Sequence, residues 1–249
     1  MQLWELALLA VAGVASGWIN VVAGGGSLLT VPIMVFLGLP GPVANGTNRI
    51  AIIAQNVTAV SSFRKLGFSD FRLSATLSVA ASLGAFAGAM IGVDLDGEWF
   101  DRTVAFTMIA VMILMATGRD KTRPEPDASA KAKSLVLGHA LFVGAGFWGG
   151  FIQIGVGFLM MPILYRVMGL DLVRVNMHKV FIALIFSVVA LAVFAAKVPI
   201  AWQAGAALAV GNAVGGWMGA HSTVREGAPL IKRALFLALA AMAIKLLFF

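Results

Sequence analysis

An all-α polytopic membrane protein is the fold class this sequence predicts, on three observations: its composition, the recurrence of span-length apolar stretches, and a layout that repeats in its two halves. Of its 249 residues 60% are hydrophobic and 12% charged, with a mean hydropathy of +0.95, whereas a soluble domain carries about 25% charge. A helix needs roughly 20 apolar residues to cross a bilayer. Such stretches run from Leu3 to Phe249 with only short polar links between them. The expectation is one membrane domain, 1–249, with about 8–10 transmembrane segments.

In order, the apolar segments fall at 3–23, 28–39, 43–63, 73–93, 103–118, 135–153, 158–165, 175–196, 201–219 and 230–249. The first is expected to stay in the protein, because a signal peptide opens on positive charge and here the first Lys or Arg is Arg49. The most hydrophilic stretch, 119–133, carries Arg119, Lys121, Arg123, Lys131 and Lys133 with Pro124 and Pro126. It reads as a basic cytoplasmic linker between repeat 1 (1–118) and repeat 2 (134–249). Loop charges give the orientation: Arg64, Lys65 and Arg72 mark an inside link, and Asp94, Asp96, Glu98 and Asp101 an outside one. In the second half Arg225, Lys232 and Arg233 flank an inside link, while Lys197 alone precedes Ala201.

Laid side by side, Trp18, Gly25 and Pro32 align with Trp148, Gly155 and Pro162 at a constant offset. Asn45 and Asn56 then match Asn176 and Ser187, and Gly84, Gly88 and Gly92 match Gly211, Gly215 and Gly219. Each copy reads as a broken or hairpin helix pair plus three transmembrane helices. The loop charges orient the copies oppositely, as inverted repeats, an arrangement that places a substrate site near the bilayer midplane between the copies.

The sharpest local feature is AGGGSLLTVP at 23–32, with its counterpart QIGVGFLMMP at 153–162. Consecutive glycines and a proline weaken a helix, and unpaired backbone is tolerated at membrane depth only where it is buried in protein or lines a cavity. Gly24, Gly25, Gly26 and Ser27 with Gln153, Gly155 and Gly157 are therefore expected to offer backbone amides to an anion, although close packing of small residues reads the same way. Asn20 precedes the first break. The run NGTNR supplies Asn45, Thr47, Asn48 and Arg49; Asn176, His178 and Lys179 occupy the same place in the second half. Each copy thus brings amides and a cation to similar depth, which suits an anion, unless the cations reach for the interface.

All 11 Asp and Glu lie near predicted helix ends or in loops. Cation and proton pathways use intramembrane acids, so an anion fits better, with any proton coupling left to a histidine or to the substrate. His178 sits in the polar cluster, while His139 and His221 lie near helix ends. No metal site is expected from 3 dispersed histidines and no cysteine. Trp4, Trp99 and Trp202 read as interface anchors, Trp217 as packing, Gln55 as interhelical glue, and Trp18 and Trp148 as packing or cavity wall. No nucleophile and base, cofactor fingerprint or phosphate loop appears, so neither an enzyme nor a cofactor is expected. The net charge of +7 sits at helix ends and leaves no basic surface for nucleic acid.

The segments ASGWINVVAGGGSLLTVPIMVFLGLP and ANGTNR, with the second copy GFWGGFIQIGVGFLMMPIL, resemble the TauE/SafE group of sulfite exporters and sulfonate permeases, the TSUP family, across nearly the whole chain. The chain departs from that group at Asn45 and Asn48, where smaller residues are expected. The resemblance implies secondary transport of a small sulfur anion, such as sulfite, thiosulfate or an organosulfonate, across a bacterial inner membrane. The alternatives are an anion channel or a carrier for an organic anion such as a carboxylate. Expected partners are that anion and the bilayer, with protons as a candidate coupling ion and a second copy as a candidate homodimer.

Overall fold

The computed structural model describes residues 1–95, 97–117 and 132–248. Arg119, Lys121, Arg123, Pro124, Pro126 and Lys131 of the expected linker, and Asp96, lie outside the described residues. Within them every regular element is a helix: α1 Leu3–Val22, α2 Ser27–Phe36, α3 Gly41–Lys65, α4 Phe71–Gly92, α5 Gly97–Thr117, α6 Leu135–Phe151, α7 Val156–Pro162, a π turn Ile163–Val167, α8 Leu172–Lys197 and α9 Trp202–Phe248. The chain is an all-α polytopic membrane protein. By length and composition, α1, α4 and α8 are long and apolar enough to cross a membrane, while α2, α6 and the α7–π segment are shorter apolar helices.

The helix ends follow local chemistry. Gln2 and Glu5 form a reciprocal capping box at the start of α1. The glycine run ends that helix: Gly24 has φ +91°, where a Cβ is disfavoured. Pro40 and Pro42 open α3. Gln153 (φ 62°) and Gly155 (φ 71°) make the second break, and Pro162, which has no amide to donate, is followed at once by the π turn. Asp171 caps α8, accepting from the amides of Val173 at 3.1 Å and Arg174 at 3.0 Å. The last two predicted segments are joined as α9, kinked at Gly227 (φ 64°).

The first helix of each half packs on the fourth helix of the other, α1 on α9 and α6 on α4, and the glycine rows are the reason. A Cβ added at Gly84, Gly88 or Gly92 would fall on the carbonyl oxygens of Val143, Phe147 and Phe151 in α6, and one added at Gly211 or Gly215 on those of Ala10 and Val14 in α1. Small residues at fixed spacing let helix backbones touch where lipid offers no hydrophobic drive for association. Val79, Leu83 and Phe86 of α4 and Val210, Val214 and Trp217 of α9 are exposed, which forms the lipid-facing surface. Trp217 corrects the sequence expectation. It is 53% exposed, with its ring 4.7 Å from His221 rather than packed inside, because the close faces of α9 are taken by the glycines.

Candidate functional site

The two breaks cross one another. A Cβ on Gly24 would lie 2.8 Å from the Gly157 backbone, and one on Gly157 would collide with that of Gly24. Two interrupted helices meet here with their chain ends in the protein interior, and α3 and α8 close the flanks. Gly25 lies under the Phe158 ring and Gly26 against Ser16 and Asn20, so the glycines act here chiefly as points of close approach.

Each broken helix leaves carbonyls without intrahelical partners, and the buried cations answer them. Arg49 of α3 is fully buried. Its Nη1 donates to the Gly149 carbonyl at 2.9 Å and to Gln153 Oε1 at 2.7 Å, and its Nη2 to the Gly150 carbonyl at 2.5 Å and Asn45 Oδ1 at 3.5 Å. Asn45 Nδ2 donates to the next carbonyl, Phe151, at 2.9 Å. The guanidinium also lies 4.5 Å from the centre of the Phe194 ring.

In the other half, Lys179 Nζ of α8 donates to the Val21 carbonyl at 2.7 Å and to Asn176 Oδ1 at 2.8 Å, with Met161 Sδ at 3.9 Å. Asn176 Nδ2 donates to the Val22 carbonyl at 3.3 Å. An asparagine and a cation from each half thus grip the C-terminal end of the broken helix of the other half, where the helix dipole is negative. Among the described residues neither cation has a carboxylate partner. The ion pairs there are the exposed Arg102–Glu98 and Arg174–Asp70.

Between the breaks lies a cavity of about 10 Å³, room for about one water. Asn20, Ser27, Gln55, Asn56, Gln153 and Lys179 line it with polar atoms, and Ile52, Val156, Gly157, Met160, Val180 and Ala183 complete the wall. Asn20 Nδ2 donates to Gln55 Oε1 at 3.2 Å, Gln55 Nε2 donates to Asn56 Oδ1 at 3.0 Å, and Gln153 Nε2 donates to Ser187 Oγ at 3.3 Å. The Asn56 amide nitrogen is buried without a partner among the described residues.

Of the sequence-predicted residues, Asn20, Ser27, Gln153, Gly157 and Lys179 line this cavity. Gly24, Gly25, Gly26 and Gly155 shape the breaks beside it. Arg49, Asn45 and Asn176 hold helix ends. Asn48 ties α3 to α2, donating to Ser27 Oγ at 3.1 Å and accepting from Thr30 Oγ1 at 2.7 Å. Thr47 accepts the Ala201 amide at 3.1 Å ahead of α9, and His178 turns to Ser74 of α4 at 2.7 Å. Trp18 and Trp148 do not reach the cavity; their indoles donate to Ser222 Oγ at 3.3 Å and to the Ile154 carbonyl at 3.1 Å. Gln55 and Asn56 were the polar cavity residues absent from the predicted set. Asn56 continues the helical face of Arg49, so extending that face by two turns finds it, whereas Gln55 lies off that face.

Residues 9–246 match the family model described as sulfite exporter TauE/SafE. The chain belongs to the TauE/SafE family. A probable membrane transporter protein of Sinorhizobium sp is 26% identical over 242 residues, covering 97% of this chain and 92% of that protein. A probable membrane transporter protein of Haemophilus influenzae is 24% identical over 228 residues, covering 91% and 88%, and the Escherichia coli K12 probable membrane transporter YfcA is 23% identical over 251 residues, covering 98% and 90%. No solved structure matches the chain. As a TauE/SafE protein with this helical architecture, the chain is a multi-pass membrane transporter.

Proposed function

We propose that the protein is a secondary carrier of a small sulfur-containing anion, sulfite, thiosulfate or a short sulfonate, across a bacterial inner membrane, with the substrate held in the cavity between the crossed breaks. One observation carries this reading: the cavity holds a buried lysine and the side chains of Asn20, Gln55, Asn56 and Gln153, with no carboxylate among the described residues of its wall. A buried charge is tolerated when something of opposite sign reaches it, and amide donors around an ammonium suit an oxyanion. Lys179 is the contacting cation. Arg49 is a positioning residue: it fixes the end of α6 and the Gln153 side chain, which in turn lines the cavity.

The space admits about one water, so sulfite enters only when the helices around the breaks separate. The two halves, oppositely oriented and hinged where Gly24 meets Gly157, supply that motion by rocking. Purified protein with sulfite, thiosulfate, methanesulfonate and acetate tests the substrate, because a ligand that binds the folded state raises apparent stability. A rise with sulfur anions that is absent with acetate supports the reading; a rise with acetate alone assigns an organic carboxylate. Counterflow in proteoliposomes separates the mechanisms, since internal substrate accelerates uptake of labelled substrate through a carrier and leaves a channel unaffected.

A further inference from the structure

Resting on the carrier reading, we propose that His178 is a proton-binding site, so that one proton accompanies each anion. His178 is fully buried in α8. Its Nδ1 lies 2.7 Å from Ser74 Oγ, and its Nε2 is buried with no partner among the described residues. A wholly buried imidazole nitrogen left unpaired is costly. It is also placed where a proton is useful, because the next residue, Lys179, lines the anion cavity.

A polar ladder leads to His178 from the protein surface. Asp70 and Ser74 stand one turn apart at the head of α4, facing Arg174 and His178, one turn apart on α8. Arg174 Nη2 lies 3.5 Å from Asp70 Oδ2, with the Asp70 side chain 63% exposed and that of Arg174 18% exposed. Asp70 and Arg174 are opposite in sign and pair at the start of the two packed helices. Lys179 follows on its own helix, and Arg64 and Lys65 end the neighbouring α3 as exposed side chains.

The step is balanced. A proton leaves bulk water for His178 Nε2, Nδ1–H remains bonded to Ser74, and the proton returns to water on the other side as the anion leaves. An imidazolium one residue from Lys179 adds a second positive charge to the helix that walls the cavity, and a bound anion offsets it. Proton and anion therefore favour each other's binding, and the coupling is reciprocal.

Methanesulfonate is the probe, because as the anion of a strong acid it carries no proton of its own. Proteoliposomes of the full chain are given a gradient of one pH unit, acid outside. Wild type is expected to accumulate the probe about tenfold, the equivalent of one proton per anion, with matching internal acidification reported by a trapped pH dye. His178→Gln, which keeps a donor to Ser74 and cannot titrate, is expected to retain counterflow and lose accumulation. Accumulation by His178→Gln, or counterflow without accumulation by wild type, overturns the coupling and leaves the carrier reading standing. No counterflow of methanesulfonate in wild type overturns both. If His178→Gln is inactive in every assay, Ser74→Ala decides: a displaced pH profile of counterflow supports the site, and an unchanged one overturns it.

Discussion

Replacing Arg49 by methionine separates a residue that builds the site from one that binds the substrate. The change keeps the volume and removes the donors to the Gly149 and Gly150 carbonyls and to Gln153 Oε1. An acceptor left unpaired in the interior costs about 1–3 kcal/mol, whereas interhelical hydrogen bonds in membranes average nearer 0.6 kcal/mol. With three close acceptors orphaned, the longer contact to Asn45 Oδ1 at 3.5 Å also lost and the buried charge removed as a partial offset, the net loss is about 3 kcal/mol. For a chain of this length that corresponds to a melting temperature lower by about 6–12 °C. Lys179→Met orphans only the Val21 carbonyl and Asn176 Oδ1, and its melting temperature falls less. The anion response divides in the opposite sense: Arg49→Met keeps the stabilisation by a sulfur anion, and Lys179→Met loses it. Thermal unfolding in detergent with and without anion reads both quantities. An Arg49→Met protein as stable as wild type and blind to the anion would refute the capping role and make Arg49 a ligand.

Other expectations follow from packing and charge. Gly88→Ala places a Cβ on the Phe147 carbonyl and is expected to lower stability by about 1–3 kcal/mol, while Gly144→Ala, with nothing within 4 Å, is neutral or stabilising by up to about 1 kcal/mol; paired thermal melts give the comparison. Gly24→Ala meets both a φ of +91° and the Gly157 backbone, so counterflow is expected to vanish even in protein that still purifies as a single species. Asn56→Asp puts a carboxylate in the wall that holds Lys179. The anion-dependent thermal shift should disappear with the fold retained, and a shift of wild-type size would place the anion elsewhere.

Much of this architecture was legible because the lipid solvent narrows the choices. Apolar runs had to be helices, and each predicted segment overlaps one. The breaks at 23–26 and 152–155 were marked by glycine in regions where helix was otherwise mandatory. The polar clusters of both halves were legible too, but their partners were not. Nothing local in NGTNR says that Arg49 reaches carbonyls on α6, since that contact exists only once the second half has folded against the first. The same holds for His178, whose partner Ser74 lies in a stretch of α4 without any motif. Gln55 was read as glue because one isolated amide has no address. Its place in a chain from Asn20 to Asn56 appears only in three dimensions.

The two cations are equivalent in position but only Lys179 lines the cavity, and that difference supports Lys179 as the proposed substrate contact. Both terminal nitrogens of Arg49 are already engaged with oxygen acceptors, and its Nε, buried without a partner among the described residues, belongs to a residue outside the cavity wall. Lysine has three donors on one nitrogen. For Lys179, oxygens of Val21 and Asn176 take two of them, and the third direction meets the thioether of Met161, a weak acceptor. A thioether in that place keeps a donor cheap to redirect, so an arriving oxyanion replaces a poor contact instead of breaking a good one. Met161→Gln tests this directly. It is similar in length and buried at the same position, and it offers Lys179 a third oxygen. Anion affinity measured by titrated thermal shift is expected to fall about tenfold or more, the equivalent of a charge-assisted hydrogen bond worth at least about 1.4 kcal/mol that the anion must now displace, with the melting temperature of the anion-free protein unchanged or raised. Unaltered affinity would mean that the anion approaches Lys179 from another side and that the thioether is packing alone.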